Sequence, residues 1–197
     1  MKLKFITTNE GKFSEFNDAL SGADVNLERL NMSYPEIQTE SLEGVIAFGM
    51  QWLDKKIHGP YVIDDSGLFI SELNGFPGVY SAFAFRALGN AGILRLMGGM
   101  RNRKAIFRTV IGLSINGHHS TLDGECEGTI TATERGESGF GFDPIFRPSD
   151  STMTFAEMNI GEKNALSHRG AALRKLKNTL LSSPLRRYSG QSDFSVQ

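Results

Sequence analysis

The sequence has one cysteine, no long apolar run and almost no net charge. Each absence removes a class of protein. With Cys126 alone the chain cannot close an internal disulfide. That fits a reducing compartment and makes Cys126 a small strand residue rather than a catalytic thiol. No stretch approaches the roughly 20 apolar residues of a membrane-spanning helix. The opening MKLKFITTN contains no apolar segment of signal-peptide length. A cytoplasmic protein is therefore expected. The 21 Lys and Arg against 22 Asp and Glu give a formal charge of -1. No overall field draws the chain to nucleic acid or to a membrane surface.

What is present suits one folded domain, with room for two lobes. Hydrophobic residues make up 40% of the 197 positions and charged residues 22%, enough apolar content for a core. The glycines occur mostly singly, as tight turns and close backbone approaches require, not as a flexible linker.

The most informative stretch runs from Tyr61 to Ser81. An apolar run, Tyr61 to Ile63, leads into Asp64, Asp65, Ser66 and Gly67; a second apolar run, Leu68 to Ile70, is followed by the turn signals Asn74-Gly75 and Pro77-Gly78. The pattern predicts a buried strand pair or a strand that turns sharply. Adjacent acids between apolar runs repel each other and lose hydration, so they need compensation. A divalent cation is the simplest candidate, since Mg²⁺ takes one or two carboxylates plus substrate phosphates. A loop with solvated acids and a capping serine is the plainer alternative.

Around this stretch the chain alternates strands and helices. Leu3 to Thr7 reads as a strand, followed by the polar turn Thr8-Asn9-Glu10-Gly11-Lys12 and a helix carrying Phe13, Phe16 and Leu20. Free amides at that helix start, with Lys12 beside them, suit a phosphate; an ordinary helix start capped by Thr8 or Asn9 fits the same residues. It is not a P-loop. A second helix follows Ser41, with Glu40 and Glu43 at its start. Both acids favour the helix dipole there, and either is also a candidate third carboxylate beside Asp64 and Asp65.

Ala105 to Ile115 alternates as a strand, Asn116-Gly117 makes a hairpin, and a return strand runs to about Thr131. Arg101, Arg103 and Lys104 read as a solvated basic loop. Gly136 to Pro148 interleaves three phenylalanines with small residues, which gives either a flat platform for a purine or a buried aromatic loop. Ser167 caps a last helix, whose first turn carries His168 and Arg169. Cations there oppose the dipole unless they meet an anionic or polar ligand. Residues 182–197 are polar and expected to be poorly ordered.

Four of these blocks, in this order and spacing, resemble the inosine triphosphatase family of noncanonical purine nucleoside triphosphate pyrophosphatases. They are Thr7 to Lys12; Asp64 to Leu68 with Gly75 to Ser81; Gly139 to Phe146; and Lys163 with Ser167-His168-Arg169. The similarity spans about Met1 to Leu181. It implies an α/β fold with a long, mixed, twisted central sheet flanked by helices, forming one two-lobed domain over 1–181 with the active-site cleft between the lobes. It implies Mg²⁺-dependent hydrolysis of ITP, dITP or XTP to monophosphate and pyrophosphate, and commonly a homodimer.

The resemblance assigns Asp65 as general base and metal ligand, with Asp64 and Glu40 as further ligands. Thr7, Thr8, Asn9, Glu10, Gly11 and Lys12 would cradle the triphosphate, and Ser66 would bond near the metal. Phe140, Gly141, Phe142 and Asp143 would hold the base, with Phe142 as the stacking ring; Lys163, His168 and Arg169 would reach base and phosphates. Two departures stand out. Ala47-Phe48-Gly49 replaces the family's frequent Glu-Asn-Ala, which leaves Glu43 as an alternative to Glu40. Phe83 stands where an arginine is frequent, with Arg86 one turn on. A related pyrophosphatase with another base preference, or a nucleotide-binding module without turnover, are the rival readings.

Overall fold

Alternating apolar residues and well-placed caps set the elements before any tertiary contact does. In the computed structural model, which describes residues 1–182, β1 (Lys2–Ile6) leads into α1 (Glu10–Ala19), whose N-cap is Asn9: its side chain accepts from the Lys12 amide. β2 (Asn26–Leu30) follows, then α2 (Leu42–Leu53), capped by Ser41. β3 is a ten-residue strand, Tyr61–Ile70, and β4 (Pro77–Gly78) folds back along its end. α3 (Ser81–Leu96) breaks at Gly89, whose φ of 61° separates two helical pieces. β5 (Lys104–Ile115) and β6 (His118–Ile130) form a long hairpin through Asn116 and Gly117, both at positive φ as the tight turn demands. β7 (Phe146–Pro148), α4 (Ile160–Leu166) and α5 (His168–Ser182) complete the described chain. Ser182 closes α5; the rest of the expected tail, 183–197, lies outside the described residues.

Seven described strands form one mixed sheet in the order β2-β1-β3-β5-β6-β7, with β4 on β3. β1 pairs in parallel with β2 and β3; the remaining pairs are antiparallel. The expected α/β architecture with a mixed sheet between helices is what forms. One expectation is corrected. The Tyr61 to Ile70 segment neither pairs with itself nor turns sharply. It is one straight strand, because all ten residues are in register with Ala105 to Ser114 of β5.

Period-2 alternation divides the core. Val62, Ile111 and Leu113 face α1 and α5, packing with Phe5, Phe16, Leu173 and Leu176. Tyr61, Ile63 and Val110 face α2, with Ile46 and Met50. Leu68, Ile70, Phe107, Phe142 and Phe155 make a third cluster with α3 and the segments around β7. The polar triplet Asp64-Asp65-Ser66 lies in β3 between the first two clusters and the third. No helix among the described residues is long and apolar enough to cross a membrane.

Gly124 fixes how closely α5 approaches the sheet. It sits opposite Thr109, and a Cβ there would collide with the His168 carbonyl and stand 2.6 Å from the Ala172 amide. Both belong to backbone that cannot move aside cheaply. Gly124→Ala is expected to lower unfolding free energy by about 1–3 kcal/mol through overpacking. Gly161→Ala, on exposed α4 where nothing lies nearer than 3.4 Å, should be neutral or slightly stabilising. Urea denaturation of both variants checks this.

Candidate active site

β-strand alternation sends the two adjacent acids to opposite faces of the sheet. Asp64 points toward α1 and α5, as its neighbour Val62 does; Asp65 points toward the α2 side with Ile63. Their environments differ accordingly.

The Asp64 carboxylate is buried and held by protein cations. Lys12 Nζ lies 3.1 Å from Oδ1, at ion-pair distance but off hydrogen-bond alignment, and donates to the Asp64 carbonyl at 3.1 Å. Arg169 Nε donates to Oδ2 at 3.1 Å. Burial alone would raise this carboxyl, but Lys12 and Arg169 outweigh it and hold it below the usual range. Arg169 then continues inward: its NH1 donates to Glu15 Oε2 at 2.5 Å and its NH2 to Ser66 Oγ at 2.9 Å. Glu15 Oε1 takes Lys163 Nζ at 2.6 Å, and Lys163 reaches Asp143 Oδ2 at 2.5 Å. The line Asp64–Arg169–Glu15–Lys163–Asp143 is buried throughout. It joins β3, α5, α1, α4 and the loop before β7.

Asp65 has no such partner. Its side chain is half-buried, and one oxygen accepts from the Ser66 amide at 2.9 Å. Burial pushes its carboxyl up to about 6; Lys12 pulls down, while Asp64 and Glu36 push up. A carboxylate that titrates near neutrality is suited to take a proton. Its backbone is steadied by hydroxyls. Thr109 Oγ1 donates to the Asp65 carbonyl at 2.9 Å, so its single proton is used. In the 2.6 Å contact between them, Ser66 is therefore the donor to Thr109.

The residues chosen for the phosphate cradle surround the start of α1. Thr7 Oγ1 accepts from the Asn9 amide, and Arg29 from β2 clasps the turn through the Thr7 and Thr8 carbonyls and the Glu10 carboxylate. The Asn9 cap and Gly11 lie inside this turn. A Cβ at Gly11 would run into the Phe140 ring, so glycine lets the aromatic loop lie against the helix start. Lys163 Nζ sits 4.6 Å from the centre of that ring and the Arg169 guanidinium 5.5 Å. The Phe140 amide donates to Asp143 Oδ2 at 2.8 Å, and Gly141 turns at a φ of 63°.

Two expectations are corrected here. Phe142, chosen as the stacking ring, is 3% exposed and packs edge-on against Phe85 in the core. Phe140 is the half-buried ring of this loop. Glu40 is exposed and makes no hydrogen bond or ion pair with a described residue, while Glu43 reaches Arg108 at 3.5 Å. Besides Asp64, the acid that acts on Asp65 is Glu36. Beside it, the Tyr34 hydroxyl is raised by burial, then by Asp65, Asp64 and Glu36. At the second departure, Phe83 is 65% exposed and Arg86 has no polar partner among the described residues.

His168 is buried, lying flat on Phe107 at 4.6 Å between ring centres. Burial, then Arg169, Lys163 and Lys12, drive it well below its usual pKa, so it is neutral. Its Nδ1 has no partner among the described residues. Sequence reading passed over Glu15, Glu36 and Arg29. Only Glu15 carried a signal: a carboxylate one place from Phe16 on the inward stripe of α1, three residues after Lys12.

The sequence model of the Ham1 family matches residues 3–179. A dITP/XTP pyrophosphatase of Pyrococcus horikoshii is 51% identical over 174 residues, covering 88% of this chain and 94% of that protein. One from Thermococcus kodakarensis is 47% identical, covering 91% and 97%. Among solved structures, a HAM1 protein from Coxiella burnetii superposes with a TM-score of 0.80 at 30% identity, covering 93% of this chain and 100% of that one.

The raised Asp65 carboxyl has a consequence for stability. Its folded pKa of about 6 exceeds the ordinary 3.8. The native state therefore binds more protons between those values, and stability falls as pH rises through them. Asp65→Asn removes this cost. Its thermal midpoint at pH 7 should exceed that of the unsubstituted chain, and the gap should close below about pH 4. An unchanged or lower midpoint at pH 7 would mean that the charge is fully compensated.

Proposed function

The chain belongs to the Ham1 family, and we propose that it hydrolyses noncanonical purine nucleoside triphosphates to the monophosphate and pyrophosphate. Beyond the relatives, the observation that carries this reading is the Asp65 carboxylate, poised to titrate near 6, within the field of Lys12 but with no ion-pair partner among the described residues.

In the proposed reaction a water oxygen attacks the α-phosphorus, the bond from that phosphorus to the bridging oxygen breaks, and pyrophosphate leaves with the electron pair. Asp65 takes the water proton. The first amides of α1 and Lys12 meet the phosphates. The donor set suits Mg²⁺, which accepts one or two carboxylates together with substrate phosphates. Asp65 and Glu36 would hold the ion, which would offset charge developing on the phosphates. Asp64 stays with Lys12 and Arg169.

Base selection follows from what is left unpaired. Arg169 and Lys163 already have acceptors within the buried line, so they orient the pocket. His168 Nδ1 has none. Donation from the neutral imidazole to the 6-oxo group of hypoxanthine or xanthine satisfies both atoms; the amino group of adenine would leave a buried donor unpaired. Phe140 supplies the aromatic face. We further propose that residues 1–181 act as one unit, in a cytoplasmic homodimer.

The test is pyrophosphate release from ITP, dITP, XTP, ATP, GTP and dUTP, with Mg²⁺ and with EDTA. ITP, dITP and XTP should turn over fastest, EDTA should stop the reaction, and Asp65→Asn should lower kcat about 100-fold or more. Preference for dUTP would keep the chemistry and overturn the base reading; binding of ITP without turnover would overturn the enzyme. Glu36→Gln should raise the Mg²⁺ concentration for half-maximal rate roughly tenfold, more than Glu40→Gln does. The acid limb of kcat/KM, near pH 6 at low Mg²⁺, should move to lower pH as Mg²⁺ saturates, since a bound cation favours the carboxylate.

A further inference from the structure

A cavity of about 710 Å³ lies at the far end of the β5–β6 hairpin, away from the cleft. Asp65 is opposite Val110, and Lys104 at the cavity wall is six residues further along β5, roughly 20 Å at strand rise. Five cations line the cavity, Arg101, Arg103, Lys104, Arg135 and Arg147, and no acid among the described residues does. They come from three separate parts of the chain, and only the first three form a cluster in the sequence.

Their donors are not equally available. Arg103 acts as a structural clasp, each of its three nitrogens donating to a carbonyl, of Ile130, Met97 and Thr131, at 2.7, 3.1 and 2.7 Å. Arg135 is paired with Glu157 at 2.6 Å. Arg147 spends one amine on Thr129 Oγ1 at 3.3 Å and has no carboxylate partner among the described residues. Arg101 and Lys104 side chains have no polar partner among the described residues. Three cations with free donors thus face one concave space, and Arg103, bonded only to neutral carbonyls, adds positive potential behind them, whereas the charge of Arg135 is offset by Glu157. In a chain whose net charge is -1, like charges gathered this way repel unless an anion joins them.

We infer that this cavity is a second anion site, taking a small phosphate-bearing molecule. Arginine forks match phosphate oxygens bidentately and lysine adds a point charge. The volume falls in the range of small-molecule sites. Several cations around one cavity call for a ligand of more than one negative charge, such as pyrophosphate or the phosphates of a nucleotide. The inference rests on the cavity alone and stands whether or not the cleft hydrolyses ITP.

The site also touches the base-side loop. The Thr131 amide donates to the Ile145 carbonyl at 2.8 Å and the Arg135 amide to the Pro144 carbonyl at 2.9 Å. The cavity wall is therefore bonded to the segment that follows Asp143.

Calorimetric titration with inorganic pyrophosphate, without divalent metal and at fixed ionic strength, tests the site. The unsubstituted chain should bind at a site whose Kd rises at least about tenfold in Arg101→Gln/Lys104→Gln, the loss of one charge-assisted contact or more. Both residues are exposed and unpaired, so this variant should keep its thermal midpoint. Arg147→Gln should weaken the same site, and hydrolysis in the cleft should stay within about twofold for the double variant. Identical titrations for the variants and the unsubstituted chain would overturn the inference. So would equal weakening of chloride and pyrophosphate, which would mean only diffuse charge. Tighter binding of a single-stranded oligonucleotide than of pyrophosphate, lost in the same variants, would overturn the small-ligand assignment.

Discussion

Five buried side chains hold the candidate site in shape: Asp64, Arg169, Glu15, Lys163 and Asp143 form one line of ion pairs. Three acids and two cations run through it, and Lys12 at the Asp64 end brings the formal charges to three of each. Taking six charges from water is costly, and apolar residues of the same volume would hold these elements together with less desolvation. What ion pairs add is direction. Arg169 can satisfy Asp64, Glu15 and Ser66 together only if α5, α1 and β3 meet at one angle. Loss of any member strands its neighbours as unpaired buried charges, so the line tolerates little change.

Strand alternation gives the neighbouring acids different work. Asp64 is drawn into the ionic line and fixes Lys12 and Arg169. Asp65, one residue on and on the other face, is buried with only partial compensation from Lys12 and the Ser66 amide, and so keeps a high proton affinity. A turn or loop at this point would have let both carboxylates share one solvent and one set of cations. The length of β3, enforced by its pairing with β5, separates them. Ser66 and Thr109, which bond across this pair, tie the Asp65 backbone to Arg169, so the two faces are mechanically joined.

Local signals were legible where the chemistry is local. Asn9 and Ser41 cap the helices they were read to cap, and Asn116-Gly117 makes the hairpin because both residues adopt positive φ. The straightness of β3 was not legible: the polar triplet interrupts its apolar pattern, and the information that keeps it a strand sits forty residues away in β5. Which phenylalanine of the 139–146 loop turns inward was equally hidden, since glycines at positive φ remove the alternation that would fix the faces. Glu36 lies in an irregular segment with no periodicity, and only the crossing of the chain brings it to Asp65. Glu15 was half legible, since its place on the inward stripe of α1 is local but its two cations come from α4 and α5.

The balance of charge also says how a triphosphate must enter. Arg169 and Lys163 are already satisfied by acids, and opening those pairs to reach phosphates would strand Glu15 and Asp143 in a buried setting. Lys12 and the amides of α1 remain, too little positive charge for a polyphosphate next to Asp65 and Glu36. A nucleotide arriving without a cation would be repelled by those acids. In the proposed reaction, one arriving with Mg²⁺ would meet two carboxylates that gain from its charge, and the Asp65 proton affinity would fall as the ion binds. The unpaired state of Asp65 is then a feature of the free enzyme alone. On that proposal, its cost to the fold is what a substrate complex would recover, which would account for placing the least compensated acid of the site where the reaction needs a base.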